Sequence, residues 1–284
     1  MSDVLDRYGE RVCSVELWPA RTSDQEHRLT ATLDVLRSLP PAFVSVTYGA
    51  FGSSRHESLA LIERVLADGH RVLAHLAVAG HSPEQLVALL THVERLGADG
   101  VLALRGDPPL DDPDDRARFV GRHALELVEL ARQHTQLSVG VALHPSGHPE
   151  ARSLEDDLDH QAAKLARADF GITQFYFEAA ALTRLRGALR GRGVTRPVIP
   201  GLLVPRSPRQ LLRMGEMAAV RVPRELVEAL EGPDGPARAR TVVGELASAA
   251  LEEGSPGVHL FSMNQPETTA WLLERLDRRH RRVS

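Results

Sequence analysis

A chain of 284 residues exceeds one average domain but lies within the usual range of a single α/β barrel. Hydrophobic residues make up 43% of it, which is enough for a full core and excludes global disorder. The net charge of −4, with both signs interspersed, gives no electrostatic argument for a nucleic-acid partner, and the single cysteine excludes an internal disulfide.

Eight short apolar runs, rich in β-branched residues, are spread along the chain. They are hydrophobic on both faces, which is typical of strands in a parallel sheet covered by helices. In chain order the predicted strands are 12–17, 43–48, 71–77, 100–105, 137–143, 171–177, 197–203 and 257–263.

Helix-start signals lie between these runs. The Ser-x-x-Glu/Gln spacing of a capping box begins at Ser23, at Ser54 and at Ser82, and in the first case it pairs Ser23 with Glu26. After Ser82, apolar residues recur on one helical face until Gly97, which is a typical helix stop.

Strand and helix repeated eight times predict an α/β protein with one (β/α)8 TIM barrel, formed by residues 1–284 as a single catalytic domain. Two further helices are expected between strands 7 and 8, within 223–232 and 235–254. A doubly wound open sheet is the alternative, but the GxGxxG fingerprint is absent after the first strand.

The composition of the chain also predicts its location. The start, "MSDVLDRYGE", lacks the apolar segment of a signal peptide. No run reaches the roughly 18 consecutive apolar residues that span a membrane. We therefore expect a cytoplasmic protein with no membrane partner, as a monomer or small homo-oligomer.

Polar side chains stand at the ends of most predicted strands, where the active site of such a barrel lies. Each alone has a structural explanation: Glu16 could pair with Arg21, and His75 could be a hydrogen-bonded core histidine. Their convergence on one face of the barrel indicates an active site instead. The set is Glu16, Thr47, Tyr48, His75, Arg105, Asp107, His144, His148, Gln174, Tyr176, Met263, Asn264 and Gln265.

The two histidines after the fifth strand raise the question of a metal site. Pro145 and Gly147 argue against a helical pair of ligands formed by His144 and His148. The chain also lacks the HxH after the first strand and the Asp after the last one that a barrel metallohydrolase usually has. We therefore expect no catalytic metal.

Seven segments resemble methylenetetrahydrofolate reductases in order and spacing: "VELWPAR", "FVSVTYGAFGSSR", "AHLAVAGHS", "VLALRGDPP", "HPSGHPEA", "ITQFYF" and "VIPGLL". They cover most of the chain, from about residue 10 to about residue 275. The resemblance implies a barrel that reduces 5,10-methylenetetrahydrofolate to 5-methyltetrahydrofolate with electrons from NADH or NADPH, usually through bound FAD.

The resemblance also implies residue roles. Glu16 matches the general acid that protonates N10 when the substrate ring opens to a 5-iminium cation, and its apolar neighbours should raise its pKa. Asp107 matches the carboxylate that stabilises this cation. The expected folate contacts are Gln174, Tyr176, Gln210, Met214 and Gln265, and the expected cofactor contacts are Thr47, His75, Arg105, Gly106, His144, His148 and Lys164.

The match is weaker at the flavin-binding positions. Of the Asn, Arg and Lys that hold the FAD diphosphate in the family, only Lys164 remains, because His160 and Ala163 replace the other two. His144 also replaces a tyrosine and Ala77 a threonine. Lost phosphate contacts, at about 1.5–3 kcal/mol each, would weaken FAD binding strongly. The chain thus resembles the flavin-independent members, and we expect FAD to be absent or weakly bound.

Three alternatives stay open: an FAD-dependent form of the same reductase, a metal-dependent barrel hydrolase or lyase, and a folate-binding protein without activity. Glu16 argues against the last of these, because a protein that only binds folate needs no acid at that position. The sequence does not distinguish NADH from NADPH.

Overall fold

The computed structural model describes residues 3–6, 12–48, 55–106 and 123–283. Within them, eight parallel strands close into a barrel in chain order, and β1 pairs with β8. The strands are β1 (Cys13–Leu17), β2 (Val44–Val46), β3 (Val72–Ala77), β4 (Gly100–Leu104), β5 (Ser138–Leu143), β6 (Phe170–Phe175), β7 (Val198–Leu202) and β8 (Val258–Phe261). The predicted (β/α)8 barrel is confirmed.

Helices surround the barrel. They are α1 (Asp3–Asp6), α2 (Ser23–Ser38), α3 (Arg55–Ala67), α4 (Pro83–Leu96), α5 (Ala124–His134), α6 (Leu154–Arg167), α7 (Ala179–Gly191), α8 (Pro208–Met217), α9 (Arg224–Glu231), α10 (Gly235–Glu252) and α11 (Pro266–Val283). The two additional helices predicted before β8 are α9 and α10. In the described part of the chain, no helix has the length and apolar character needed to cross a membrane.

The ends of α4 match the sequence prediction. The Ser82 hydroxyl accepts a hydrogen bond from the backbone N–H of Gln85, at 3.3 Å, while the Gln85 side chain accepts one from the Ser82 N–H, at 2.8 Å. Gly97 ends the helix with a φ of +98°, which a glycine adopts without strain. Local sequence is therefore sufficient to define this helix.

The predicted capping box at the start of α2 is wrong by one residue. Thr22 is the N-cap, in extended conformation, and its side chain accepts from the backbone N–H of Gln25 at 3.3 Å. Ser23 is already helical, so the pair of Ser23 with Glu26 does not form. The third predicted cap, Ser54, lies outside the described residues.

The core has two layers, separated by the barrel wall. Outward-facing strand residues such as Val15 and Val141 pack against the helices. The lower barrel interior is filled by a second cluster of buried side chains, whose large members are Phe43, Leu73, Leu102, Phe170, Ile172 and Ile199. Because side chains alternate along a strand, the next inward positions face the carboxyl end of the barrel, called the mouth below. That end is where polar groups appear.

Candidate active site

Strand alternation places Glu16 inside the barrel. Its neighbours Val15 and Leu17 are fully buried in the helix-facing core, so Ser14 and Glu16 lie on the opposite, inner face of β1. His75 takes the equivalent inward position on β3, two residues after the buried Leu73. The two side chains therefore meet across the mouth.

Glu16 and His75 form a buried pair without charge at neutral pH. Glu16 Oε2 lies 3.8 Å from His75 Nε2, and the side chains are only 16% and 6% exposed. Burial raises the pKa of Glu16 to about 8 and lowers the pKa of His75 to about 3. A protonated carboxyl group thus faces a neutral imidazole, an arrangement suited to donating a proton near neutral pH.

Two buried side-chain atoms of the predicted site residues have no hydrogen-bond partner among the described residues: His75 Nε2, and Thr47 Oγ1 just after β2. Such atoms are rare in folded proteins, and at a site they mark places where a ligand supplies the missing partner. The alternative explanation of His75 as a hydrogen-bonded core histidine therefore fails for Nε2, the atom that faces Glu16.

A hydrogen-bonded histidine lies one layer beneath Glu16. His259 of β8 is fully buried; its Nδ1 is 2.7 Å from the Ser14 hydroxyl, and its Nε2 is 3.3 Å from the Ser45 hydroxyl. Burial lowers the pKa of His259 to about 3, so the ring is neutral. Sequence reasoning missed these three residues, although His259 interrupts an otherwise apolar strand at an inward position.

The segment 262–264 after β8 holds the backbone of β1 around Glu16. The Ser262 hydroxyl donates to the carbonyl oxygen of Glu16 and accepts from the backbone N–H of Asn264 at 3.0 Å. The Asn264 amide donates to the Trp18 carbonyl at 2.8 Å and accepts from the Trp18 N–H at 3.3 Å. Asn264 is 2% exposed and has a φ of +48°, and Met263 has a φ of +52°. Left-handed conformations of residues other than glycine are uncommon and cluster at functional sites.

The end of β4 turns at Gly106, which has a φ of +77°. A Cβ atom there would lie 2.8 Å from the Cβ of Ala79 and 2.9 Å from that of Ala77, so glycine is required for space as well as for conformation. Gly106 therefore packs closely against the end of β3 and the loop that follows it. Arg105 is ion-paired with Glu150 and so ties this end of β4 to the loop after β5. Asp107 lies outside the described residues.

The loop after β5 carries His144 and His148, whose rings make an edge-to-face contact with centroids 4.9 Å apart. Two residues of α6 fix its backbone: the Gln161 side chain exchanges hydrogen bonds with the N–H and carbonyl of His144, and Asp157 accepts from the His148 N–H. Neither was predicted from sequence. Burial lowers the pKa of His144 to about 3, and that of His148 also falls.

Lys164 of α6 lies beside these histidines. It is half-buried, and burial lowers its pKa to about 8. Its ammonium group has no hydrogen bond or ion pair within the described part of the chain, although the charge of Asp157 acts on it. A half-buried cation of this kind favours an anionic ligand. Within the same residues, no group of three or more His, Cys, Asp or Glu side chains could hold a metal ion.

An apolar wall lines the side of the mouth formed by β6, β8 and α8. Met214 of α8 packs on a cluster that contains Phe175 and Phe261, whose rings make an edge-to-face contact at 6.0 Å. Gln174 is half-buried beside it on β6, and its side-chain oxygen accepts from the backbone N–H of Phe175 at 3.0 Å. Within the described residues the Gln174 amide N–H groups make no hydrogen bond, so they can meet a ligand.

Gln210 and Gln265 meet at Arg206, in the loop between β7 and α8. The Gln210 side-chain oxygen accepts from the backbone N–H of Arg206 at 2.9 Å, and the Gln265 oxygen accepts from its guanidinium at 2.5 Å. The structure thus brings two predicted folate contacts together through an arginine that sequence reasoning did not select.

Tyr176 does not join this group. Its ring is 3% exposed and belongs to the core between barrel and helices, where Arg186 and Glu253 act on it. The β6–β7 register shifts between Ile172 and Phe175, and such an irregularity re-aims the side chains that follow. The structure does not place Tyr176 at the mouth with the other expected folate contacts.

Comparison with known proteins gives a consistent result. Residues 1–277 match the sequence model of a family described as methylenetetrahydrofolate reductase. Two proteins named 5,10-methylenetetrahydrofolate reductase are similar to this chain. That of Pectobacterium carotovorum is 33% identical, and the match covers 89% of this chain and 86% of the relative. That of Escherichia coli is 30% identical, and the match covers 91% of this chain and 88% of the relative.

Solved structures share the fold at low identity. A Clostridium thermocellum protein, described as binding two copies of 5-methyl-5,6,7,8-tetrahydrofolic acid, has a TM-score of 0.65 and 13% identity, covering 97% of this chain and 99% of that chain. A 2,3-dimethylmalate lyase has a TM-score of 0.55 and 12% identity, covering 98% and 84%. These likenesses show that the barrel is shared.

Proposed function

Because the chain belongs to the methylenetetrahydrofolate reductase family, we propose that it reduces 5,10-methylenetetrahydrofolate to 5-methyltetrahydrofolate with hydride taken directly from NADH or NADPH. The observation that carries the proposal is the buried, uncharged pair of Glu16 and His75 at the mouth. A carboxylic acid that keeps its proton at neutral pH is what ring opening of this substrate requires.

Glu16 is the general acid. The bond from N10 to the methylene carbon breaks, its electron pair stays on N10, and N10 takes the proton of the Glu16 carboxyl group. The methylene group remains on N5 as an iminium cation. Hydride from the dihydronicotinamide adds to that carbon, which gives the N5-methyl product and oxidised nicotinamide. The Glu16 carboxylate then regains a proton from solvent.

Burial keeps this acid protonated, and a neutral His75 does not oppose it. A charged imidazolium 3.8 Å away would stabilise the carboxylate and lower the pKa of Glu16. Burial prevents this because it holds the ring neutral. The unpartnered Nε2 of His75 and the unpartnered Thr47 hydroxyl then provide hydrogen-bonding groups beside the reacting atoms.

The remaining roles are those that the family resemblance implies. Asp107, directly after Gly106, supplies the negative charge that stabilises the iminium cation. The free amide of Gln174 pairs with the pterin edge, and the wall of Met214, Phe175 and Phe261 packs on the aminobenzoate ring.

The residues near Lys164 do not fit a tightly held flavin. A diphosphate carries two negative charges, and tight binding requires several cations that are free to meet them. In the described loops at the mouth, Arg105 is already paired with Glu150. Burial lowers the pKa of both His144 and His148, which disfavours their cationic forms. Lys164 alone suits a nicotinamide dinucleotide, which must leave after every turnover and needs only about micromolar to millimolar affinity.

One set of experiments tests the proposal. Glu16→Gln should abolish reduction and leave folate binding largely intact, because Gln keeps the shape but cannot donate the proton; turnover within a few-fold of wild type would exclude Glu16 as the acid. Direct transfer requires both substrates to be bound together, so initial-rate lines should intersect, and the purified protein should be colourless. A yellow protein with near-stoichiometric FAD and parallel lines would instead establish the flavin-dependent reductase.

A further inference from the structure

A polar layer lies inside the barrel between Glu16 and the apolar lower interior. It consists of His259 of β8, Ser14 of β1 and Ser45 of β2, whose side chains are all fully buried. Ser14 is the inward residue before Glu16 on β1, and the pairing of β1 with β8 places it directly beside His259. These three residues are called the histidine layer below. Glu16 meets this layer on its side away from the mouth.

The hydrogen bonds of the histidine layer are complete while its ring is neutral. The Ser14 hydroxyl donates to the Val258 carbonyl at 3.3 Å and so accepts from Nδ1 of His259 at 2.7 Å. With its proton on Nδ1, the ring accepts at Nε2 from the Ser45 hydroxyl at 3.3 Å. An imidazole that has a partner at both nitrogens needs neither a charge nor a water molecule to satisfy its hydrogen bonds.

Aromatic rings pack on the same histidine. Phe43 stacks on His259 with the ring centroids 6.0 Å apart, and Phe261 makes an edge-to-face contact with it at 5.4 Å. Phe43 belongs to the cluster that fills the lower interior, and Phe261 belongs to the apolar wall of the mouth. The ring of His259 therefore joins the apolar lower interior to the proposed site.

The titratable groups that face this ring belong to the site itself. His75 of β3 acts on it electrostatically, and Glu16 follows Ser14 by two residues on the inner face of β1. The neighbouring position on β7 is Gly201, which brings no charge. Burial lowers the pKa of His259 to about 3, so the ring adds no positive charge that would stabilise a Glu16 carboxylate.

We propose that His259 is a positioning residue, which keeps the Glu16 carboxyl group protonated by filling the space beneath it with a neutral, hydrogen-bonded ring. The inference rests on the proposed function of Glu16 as the acid. Water stabilises a carboxylate, and the ring excludes water from below. If a small side chain replaced it, the two serine hydroxyls would line a polar cavity that admits water. Such water would hydrate the carboxylate and lower the pKa of Glu16.

The test is the pH dependence of kcat in variants of the intact protein. In His259→Ala, the midpoint of the fall in turnover at alkaline pH should decrease by about one unit or more. This change reduces the ratio of kcat at pH 8 to kcat at pH 6 by about fivefold. His259→Gln fills most of the space with an amide that both donates and accepts, so its midpoint should stay within about 0.3 unit of the wild type.

The matched control is Ile199→Ala, which removes a fully buried side chain from the lower interior. Because apolar side chains line the resulting cavity, it should stay dry. The control should therefore lose stability, as His259→Ala does, without a change in the midpoint. If His259→Ala does not fold, His259→Asn leaves a smaller cavity beside the same hydroxyls and should shift the midpoint in the same direction.

An unchanged midpoint in the cavity variant of His259, or an equal shift in Ile199→Ala, overturns the proposal and leaves Glu16 as the acid. A His259→Gln midpoint shifted as far as that of the cavity variant overturns it too. The pKa of Glu16 can also be measured without turnover, from urea unfolding of each His259 variant with and without Glu16→Gln at several pH values. A lowered pKa in that measurement supports the proposal even if the wild type reduces no folate, and in that case only the proposed function fails.

Discussion

Replacing Glu16 by glutamine should stabilise the folded barrel, and the gain should increase with pH. Burial raises the pKa of Glu16 from 4.5 to about 8 because the ionised form loses its hydration. Between these two values the folded chain holds a proton at Glu16 that the unfolded chain has released. Glutamine keeps the shape of the protonated form and never ionises, so the variant avoids this cost.

The magnitude follows from proton linkage. A group whose pKa is raised by folding stabilises the fold fully below its unfolded pKa, and this contribution is lost as pH rises through the folded pKa. The wild type should therefore lose about 1.4 kcal/mol of unfolding free energy per pH unit in that window relative to the variant. Between pH 5.5 and pH 8 the advantage of Glu16→Gln should grow by up to about 3 kcal/mol.

Urea unfolding of both proteins at several pH values measures this difference. Other groups that titrate in the same range act equally on both proteins and cancel. The matched control is Glu63→Gln, which removes an exposed carboxylate from α3 by the same substitution. If the Glu16→Gln advantage were constant with pH, or reversed at pH 8, the carboxyl group would be ionised in the fold, and Glu16 could not serve as the acid at neutral pH.

Three further predictions concern the same site. Turnover should fall about tenfold per pH unit above about pH 8, because Glu16 ionises there. His75 should cause no fall in turnover between pH 5 and 7, because its pKa is about 3. A pH–rate profile measures both effects. Asn264→Ala removes the two hydrogen bonds to Trp18 and should lower the unfolding free energy by about 2 kcal/mol. It should also reduce kcat by a larger factor than it raises the folate KM. An unchanged kcat would show that segment 262–264 does not position Glu16. Asp107→Asn should lower turnover and weaken folate binding, and if steady-state kinetics show both constants unchanged, the carboxylate only caps the loop.

Much of the fold is determined by local sequence. Short runs that are apolar on both faces are typical of strands buried on both sides, and their alternation with capped amphipathic helices predicts the barrel. The ends of α4 are defined by Ser82 and Gly97 alone. Glu16 and His75 could be selected because a barrel gathers its strand ends at one mouth, whatever the details of packing.

Tertiary structure decided what surrounds those two residues. Ser14 and His259 are 245 positions apart in sequence and meet only because the barrel closes by pairing β1 with β8. Segment 262–264 reaches Glu16 and Trp18 for the same reason. Tyr176 has the same sequence signature as a mouth residue, yet the register shift in β6 turns it toward the helices. Sequence periodicity describes one strand at a time. The pKa shifts and hydrogen bonds of a site depend instead on which strands become neighbours and on the register between them. Closure of the barrel determines these neighbours and their register.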